Sequence, residues 1–194
     1  MSKVIILNAP PACGKDTIGS IIADMNQIYG VRMLSFKAPM FEIARAILGD
    51  SRFEYFMFLY EDRLYKEEPE SMLNGKSPRE FMIWISESII KPEFGNNYFG
   101  LRMVEAVKSG SAPAIITDGG FSEETIALIE AGIQVHVCRL HREGFTFEGD
   151  SRNYLHLPVG WQGVNGYTEA DFQLRDGDPD YTASVITGKY LRHF

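Results

Sequence analysis

The segment Val4-Ile5-Ile6-Leu7, followed by Asn8-Ala9-Pro10-Pro11-Ala12-Cys13-Gly14-Lys15, constrains this chain more than any other. A short run that is apolar at every position and breaks into a loop carrying proline and glycine is the pattern of a parallel strand buried on both faces. Beyond the loop, Ile18, Ile21, Ile22, Met25 and Ile28 recur at helical spacing, and Gly30 offers a residue that can end a helix with positive φ. Strand, loop and helix are consecutive, which calls for a sheet with helices packed on its faces.

The same alternation continues. Val31 to Phe36 reads as a strand, and Pro39 to Leu48 as a helix with Met40, Ile43, Ala44 and Ile47 inward, closed by Gly49. Phe53 to Tyr65 carries Phe53, Phe56, Met57, Tyr60 and Leu64 at helical spacing, best explained as core packing. Ser77-Pro78-Arg79-Glu80 is a capping box with proline at the first helical position; its helix is expected to run to Ile90, with Pro92 and Gly95 ending it. A helix follows near Tyr98 to Lys108, then a buried strand, Ala114 to Thr117, ending at Asp118-Gly119-Gly120. Ser122 is expected to cap a helix to Ala131, with Ile133 to Cys138 as the next strand. Residues 139–170 lose periodicity, a length that points to a lid, before a short strand, Phe172 to Leu174, and a final helix ending near Tyr190.

With 194 residues the chain suits one α/β domain with room for an insert. Its 26 acids against 19 bases, a net charge of -7, argue against a nucleic-acid polymer as partner. Cys13 and Cys138 stand alone and far apart, so neither a disulfide scaffold nor a cysteine metal site is expected. No apolar stretch approaches the roughly 18 residues of a membrane span, so a soluble, cytoplasmic protein without a membrane partner is expected. The oligomeric state is not legible, and a homodimer stays open. His136, inside a strand, reads as a packed or hydrogen-bonded core residue, and the four histidines make no zinc pattern.

Phosphate-binding loops follow the pattern Gly, four residues, Gly-Lys, then Ser or Thr, because backbone amides wrap a phosphate chain while lysine neutralises it. The frame Ala9-Pro10-Pro11-Ala12-Cys13-Gly14-Lys15-Asp16-Thr17 departs twice: Ala9 replaces the first glycine, and Asp16 stands where a hydroxyl is expected, with Thr17 next. Asp16 offers a hard oxygen to magnesium or its bound water, and Thr17 offers a hydroxyl; the sequence leaves open which would do so. Arg79, a cation in a helix's first turn, suggests a compensating anion there. Asp118, at the carboxyl end of a buried strand, lies where open α/β sheets bind ligands, although it could equally cap a turn.

Gly14-Lys15-Asp16-Thr17, with Ser35-Phe36-Lys37-Ala38-Pro39 and Ser77-Pro78-Arg79-Glu80-Phe81-Met82 ahead of Trp84, resembles the deoxynucleoside monophosphate kinases of tailed bacteriophages, within the P-loop nucleoside monophosphate kinase fold. The likeness spans nearly the whole chain. It implies a three-layer α/β/α fold with a five-stranded parallel sheet, a helical acceptor-binding insert at about 37–100 and a lid at about 139–170.

By that resemblance the activity is transfer of the γ-phosphoryl group of ATP, with Mg2+, to a deoxynucleoside 5'-monophosphate. Pro11, Ala12, Cys13, Gly14, Lys15, Asp16 and Thr17 would hold the donor, Asp16 or Thr17 the metal, and Arg79 the acceptor phosphate. Arg139, Arg142, Asp150 and Arg152 fall in the lid-like region, its arginines stabilising charge during transfer, and Asp176 lies near the donor base. Asp118 would sit near metal or acceptor, but Gly120 stands where the family usually has an arginine, so any contact of that arginine must be absent or supplied from elsewhere. The neighbouring alternatives are a kinase of another small phosphorylated metabolite, of the phosphomevalonate or dephospho-coenzyme A type, and a binding module that has lost turnover.

Overall fold

The computed structural model describes residues 2–150 and 152–191. The chain divides into two compact units, one of Met1–Phe36 with Gly100–Phe194 and the other of Lys37–Phe99.

The first unit is built on five strands: β1 (Lys3–Asn8), β2 (Arg32–Leu34), β3 (Ala114–Ile116), β4 (Gln134–His141) and β5 (Thr168–Gln173). They form one sheet in the order β2-β3-β1-β4-β5, every pair parallel. β1 lies at its centre and is apolar from Val4 to Leu7 because both of its faces are covered. Val4 and Ile6 point into one core with Met103, Val107, Leu128 and Ile129, while Ile5 and Leu7 point into the other with Ile18, Ile22, Ala183 and Ile186. Those partners come from α6 (Tyr98–Lys108) and α7 (Ser122–Glu130) on one face, and from α1 (Lys15–Met25) and α8 (Pro179–Tyr190) on the other. The result is the expected three-layer α/β/α arrangement with a five-stranded parallel sheet. The side chains of Val4, Ile5, Ile6 and Leu7 are fully buried, each worth about 1.5–3 kcal/mol. The connection leaving β1 runs to one side of the sheet and that leaving β4 to the other, which opens a crevice at the carboxyl ends of the strands.

α1 is shorter than its apolar spacing suggested. The buried Asn26 side chain donates to the Ile22 carbonyl at 2.6 Å and turns the chain after Met25, which leaves Ile28 in a short 3-10 turn, 87% exposed. β5 starts at Thr168 rather than Phe172, so 168–170 belong to the sheet and not to a lid. It is an edge strand with one open side, and Thr168-Glu169-Ala170-Asp171-Phe172-Gln173 alternates polar residues, a weaker signal than a continuous apolar run. β4 likewise runs on to His141. Between them, the described residues of 142–167 are irregular apart from 3-10 turns at Val159–Trp161 and Val164–Gly166.

The second unit is helical: α2 (Ala38–Leu48), α3 (Asp50–Glu61), α4 (Pro78–Ile83), a π-helical turn Trp84–Ile90, α5 (Lys91–Phe94) and the first residues of α6. Its core gathers Ala44, Phe53, Phe56, Phe81, Met82 and Ile85, with Phe56 and Phe81 edge to face at 5.7 Å. α3 stops before Tyr65 because Asp62 accepts from the Leu64 amide at 2.8 Å, which leaves Leu64 77% exposed instead of inward. The Ser77–Glu80 capping box is present in both directions. Pro92 does not end that helical run. It falls in the first turn of α5, where its missing N–H is not needed, and the run closes at Gly95.

Candidate functional site: the phosphate loop and the strand ends around it

The loop after β1 is turned by its own backbone, the Cys13 amide donating to the Pro10 carbonyl at 3.3 Å. Its left-handed positions are Ala12 (φ 60) and Gly14 (φ 98). Ala9 is not among the residues with positive φ; it is buried with Cys13 against Ile5 and Leu7, so this loop does not use a glycine at its first position. Gly14 ends the loop, and α1 begins at Lys15 with its first bond from the Ile18 amide to the Gly14 carbonyl at 3.0 Å. Helical geometry therefore gives the amides of Lys15, Asp16 and Thr17 no acceptor within the helix, and the helix dipole adds positive potential there. Lys15 is buried, its ammonium donating to the Pro10 carbonyl at 3.4 Å. Asp16 and Thr17 are exposed on the first turn. Burial pushes the Cys13 thiol upward, partly opposed by Lys15 and Arg142.

Asn8, the last residue of β1, is buried and organises what surrounds the loop. Its amide nitrogen donates to the carbonyls of Gly119 (3.5 Å) and Asn153 (3.4 Å), and its oxygen accepts from the Leu155 amide at 2.8 Å. One side chain thus joins the ends of β1 and β3 to the returning segment 153–155. The sequence carries a signal for it: a lone amide directly closing an otherwise apolar strand.

Asp118 receives the Ser35 hydroxyl at 2.6 Å and the Phe36 amide at 3.1 Å, which ties the chain leaving β2 to the end of β3. Gly119 permits this closeness, since a Cβ there would lie 2.8 Å from Ile6 and 3.2 Å from Phe36.

Arg139 is not a lid residue. It lies within β4, its side chain 7% exposed, opposite Asp171 in the sheet register. Its guanidinium holds Asp171 at both oxygens (2.8 and 2.7 Å), binds Glu169 at 2.5 Å and donates to the Leu155 carbonyl at 3.1 Å. Bonding to Arg139 holds the Asp171 carboxyl far below the ordinary carboxylate range, with His141 adding to it. Burial raises Glu169, but the Leu157 amide, the Tyr167 hydroxyl and Arg139 outweigh it and leave it lowered. The alternation of Glu169 and Asp171, two apart and on one face of β5, is the sequence signal that could have shown this network.

Arg142 and Asp176 pair at 2.9 Å, joining the loops after β4 and β5 at the surface. Arg152 is held by Asp150 through two bonds of 2.9 and 2.8 Å, the Asp150 side chain being 7% exposed. In the second unit, Arg79 sits in the first turn of α4 and pairs with Glu67 at 2.6 Å. Both partners of that pair are about half exposed, and such pairs contribute about 0–1 kcal/mol, so little stability rests on it.

Among the described residues no cluster of three or more His, Cys, Asp or Glu suited to a metal is present. Magnesium in phosphate sites takes one or two protein oxygens and completes its shell with phosphates and water, so the hard oxygens of Asp16 and Thr17 beside an anion-seeking loop fit that ion. No helix among the described residues is long and apolar enough to cross a membrane.

Several solved structures are similar to this chain. A sugar kinase from Janibacter sp. HTCC2649 is 13% identical with a TM-score of 0.46, covering 97% of this chain and 94% of its own. Shikimate kinase from Acinetobacter baumannii in complex with shikimate is 14% identical with a TM-score of 0.45, covering 99% and 96%. Dephospho-CoA kinase from Campylobacter jejuni is 15% identical with a TM-score of 0.46, covering 97% of each. No protein-family model matches the chain, and neither does any curated protein.

Proposed function

We propose that this protein is an ATP-dependent phosphotransferase whose acceptor is a deoxynucleoside 5'-monophosphate, which it converts to the diphosphate. The observation that carries the reading is Lys15. A buried ammonium folded onto the Pro10 carbonyl, at the mouth of a helix that directly follows the central strand, is a cation stored where a phosphate chain would rest.

Transfer of a phosphoryl group needs positioning and charge neutralisation more than covalent chemistry. The amides at the start of α1 and the Lys15 ammonium would cradle the β- and γ-phosphates of ATP. Asp16 and Thr17 would hold magnesium, directly or through water; the ion supplies charge neutralisation between the phosphates. Arg79, released from Glu67, would bind the acceptor phosphate, and Arg142, released from Asp176, would meet charge on the transferring group. Arg139 would act through position: it fastens segment 155–157 to β4 and β5. The acceptor assignment rests on the sequence resemblance around Ser77 to Trp84.

The test is magnesium-dependent ADP formation from ATP with each deoxynucleoside monophosphate, beside a Lys15→Ala control. Turnover with at least one of them, lost in the control, is expected. ATP binding with no turnover on any deoxynucleotide would transfer the reading to another phosphorylated acceptor or to a binding module.

A further inference from the structure

β5 ends the sheet on one side. The Leu174 amide donates to the His141 carbonyl at 2.8 Å, and His141 stands opposite Gln173 in the register. Backbone groups of alternate residues in a strand point to the same side, so Phe172 and Leu174 bond inward to β4 while the N–H and C=O groups of Glu169, Asp171 and Gln173 face away from the sheet. Among the described residues no hydrogen bond reaches those outward groups. Beside this edge a groove of about 220 Å3 runs between β5 and α8, with Phe172 on the strand and Tyr181 and Val185 on the helix. Tyr181 and Val185 are one helical turn apart and 43% and 39% exposed. An open edge beside an apolar helix face is the arrangement to which an extended strand adds.

The residues of the edge select a second copy of themselves. Two β5 strands related by a twofold axis run antiparallel, and joining their outward groups requires Glu169, Asp171 and Gln173 to face residues of that same set or Arg175. An axis at Asp171 sets that carboxylate against its own copy, one at Ala170 sets it against Glu169, and one at Glu169 opposes two glutamates; like charges directly opposite destabilise a pair. An axis at Phe172 gives the longest overlap free of that conflict. It places Asp171, whose side chain is 57% exposed, opposite Gln173 of the second copy and Glu169 opposite Arg175, each twice by symmetry. It also places Phe172 opposite Phe172 and Ala170 opposite Leu174. Phe172 and Leu174 belong to the core shared with Ile18 and Ile186 of α1 and α8, so these apolar pairs lie on the α8 side, where Tyr181 and Val185 of both copies would cover them.

We propose that this protein dimerises through its β5 edge, two copies pairing antiparallel about Phe172 so that their two five-stranded sheets become one. The surface is independent of the phosphate loop, so the interface stands or falls apart from the activity proposed above.

The test is sedimentation velocity of the whole protein from submicromolar to submillimolar concentration, with thermal midpoints of each variant. Gln173 is exposed, so its substitution leaves the protomer core untouched. Gln173→Asp sets two acids opposite two acids and is expected to raise the dimer dissociation constant about tenfold; Gln173→Lys faces Asp171 with a cation and should lower it. Register is read by cross-linking. In the proposed pairing Phe172 meets its own copy at a position without hydrogen bonds, where Cα atoms lie about 4.5 Å apart, within disulfide reach. Phe172→Cys should therefore give a covalent dimer under mild oxidation, while the wild type, whose Cys13 and Cys138 are buried, should not. A monomer at every concentration overturns the proposal and leaves the edge to another chain. A dimer indifferent to both Gln173 substitutions overturns it too, because its interface then lies elsewhere.

Discussion

The Leu155 amide donates to the side-chain oxygen of Asn8 at 2.8 Å, across 147 residues of chain. Asn8 is buried at the end of the central strand, so its two ends have no water to fall back on. Asn8→Ala leaves the buried Leu155 amide without its acceptor and is expected to cost about 1–3 kcal/mol. Denaturant unfolding gives the loss, and hydrogen exchange at Leu155 should quicken more than at Ile5. Equal protection at both amides in the variant would contradict the anchoring role.

Arg139 and Glu169 form a buried pair, with side chains 7% and 8% exposed. Arg139→Met leaves Glu169 charged and buried, a change that typically costs about 3–5 kcal/mol. The pair also predicts acid sensitivity. Asp171 and Glu169 are lowered in the fold, so their contribution is complete above the ordinary carboxylate values of 3.8 and 4.5 and drains away as pH falls below them. Denaturant midpoints followed from pH 7 to 3 should therefore fall by a further step below about pH 5 in the wild type, beyond any loss from His136 above it. The drop should be shallower in Arg139→Met.

His136 is buried in β4, its Nδ1 bonded to the Thr168 hydroxyl at 2.6 Å and its ring stacked on Tyr190 at 4.2 Å. Burial, with Lys3 and Lys189 nearby, lowers its pKa to about 4. Between about 4 and 6.5 the unfolded chain binds a proton that the folded chain refuses, so stability falls as pH drops through that window. The loss between pH 7 and pH 5 should be about 2 kcal/mol. His136→Asn, which can keep the bond to Thr168, should flatten it; an equally steep fall in that variant would assign the effect to other groups.

Ala12 holds φ 60, a left-handed conformation that costs a residue with a Cβ about 1–2 kcal/mol. Ala12→Gly relieves that strain against the greater entropy of glycine in the unfolded chain, with a net gain of up to about 1 kcal/mol. Ala12→Val should destabilise instead, because a branched Cβ suits that region least. Thermal midpoints of the two variants should move in opposite directions.

Local pattern determined the layered α/β class, the buried central strand and the loop that leads into α1, because each depends on residues within a few positions of one another. Val4 to Leu7 must be covered on both faces wherever they go, and Gly14-Lys15 must open a helix once Ile18 and Ile22 find a core. The capping box at Ser77 and Glu80 was legible for the same reason, and the core setting of His136 followed from its strand. Partnership across the chain was not legible. Arg139 looked like a loop cation until the sheet register set it beside Asp171, and β5 hid in a polar alternation because an edge strand has one open side. Asn8 finds Leu155, and Arg152 fills the space above Gly120, only after strands distant in sequence align their carboxyl ends. Such pairings depend on which surfaces are brought within a few ångströms, and packing decides that once the backbone is placed.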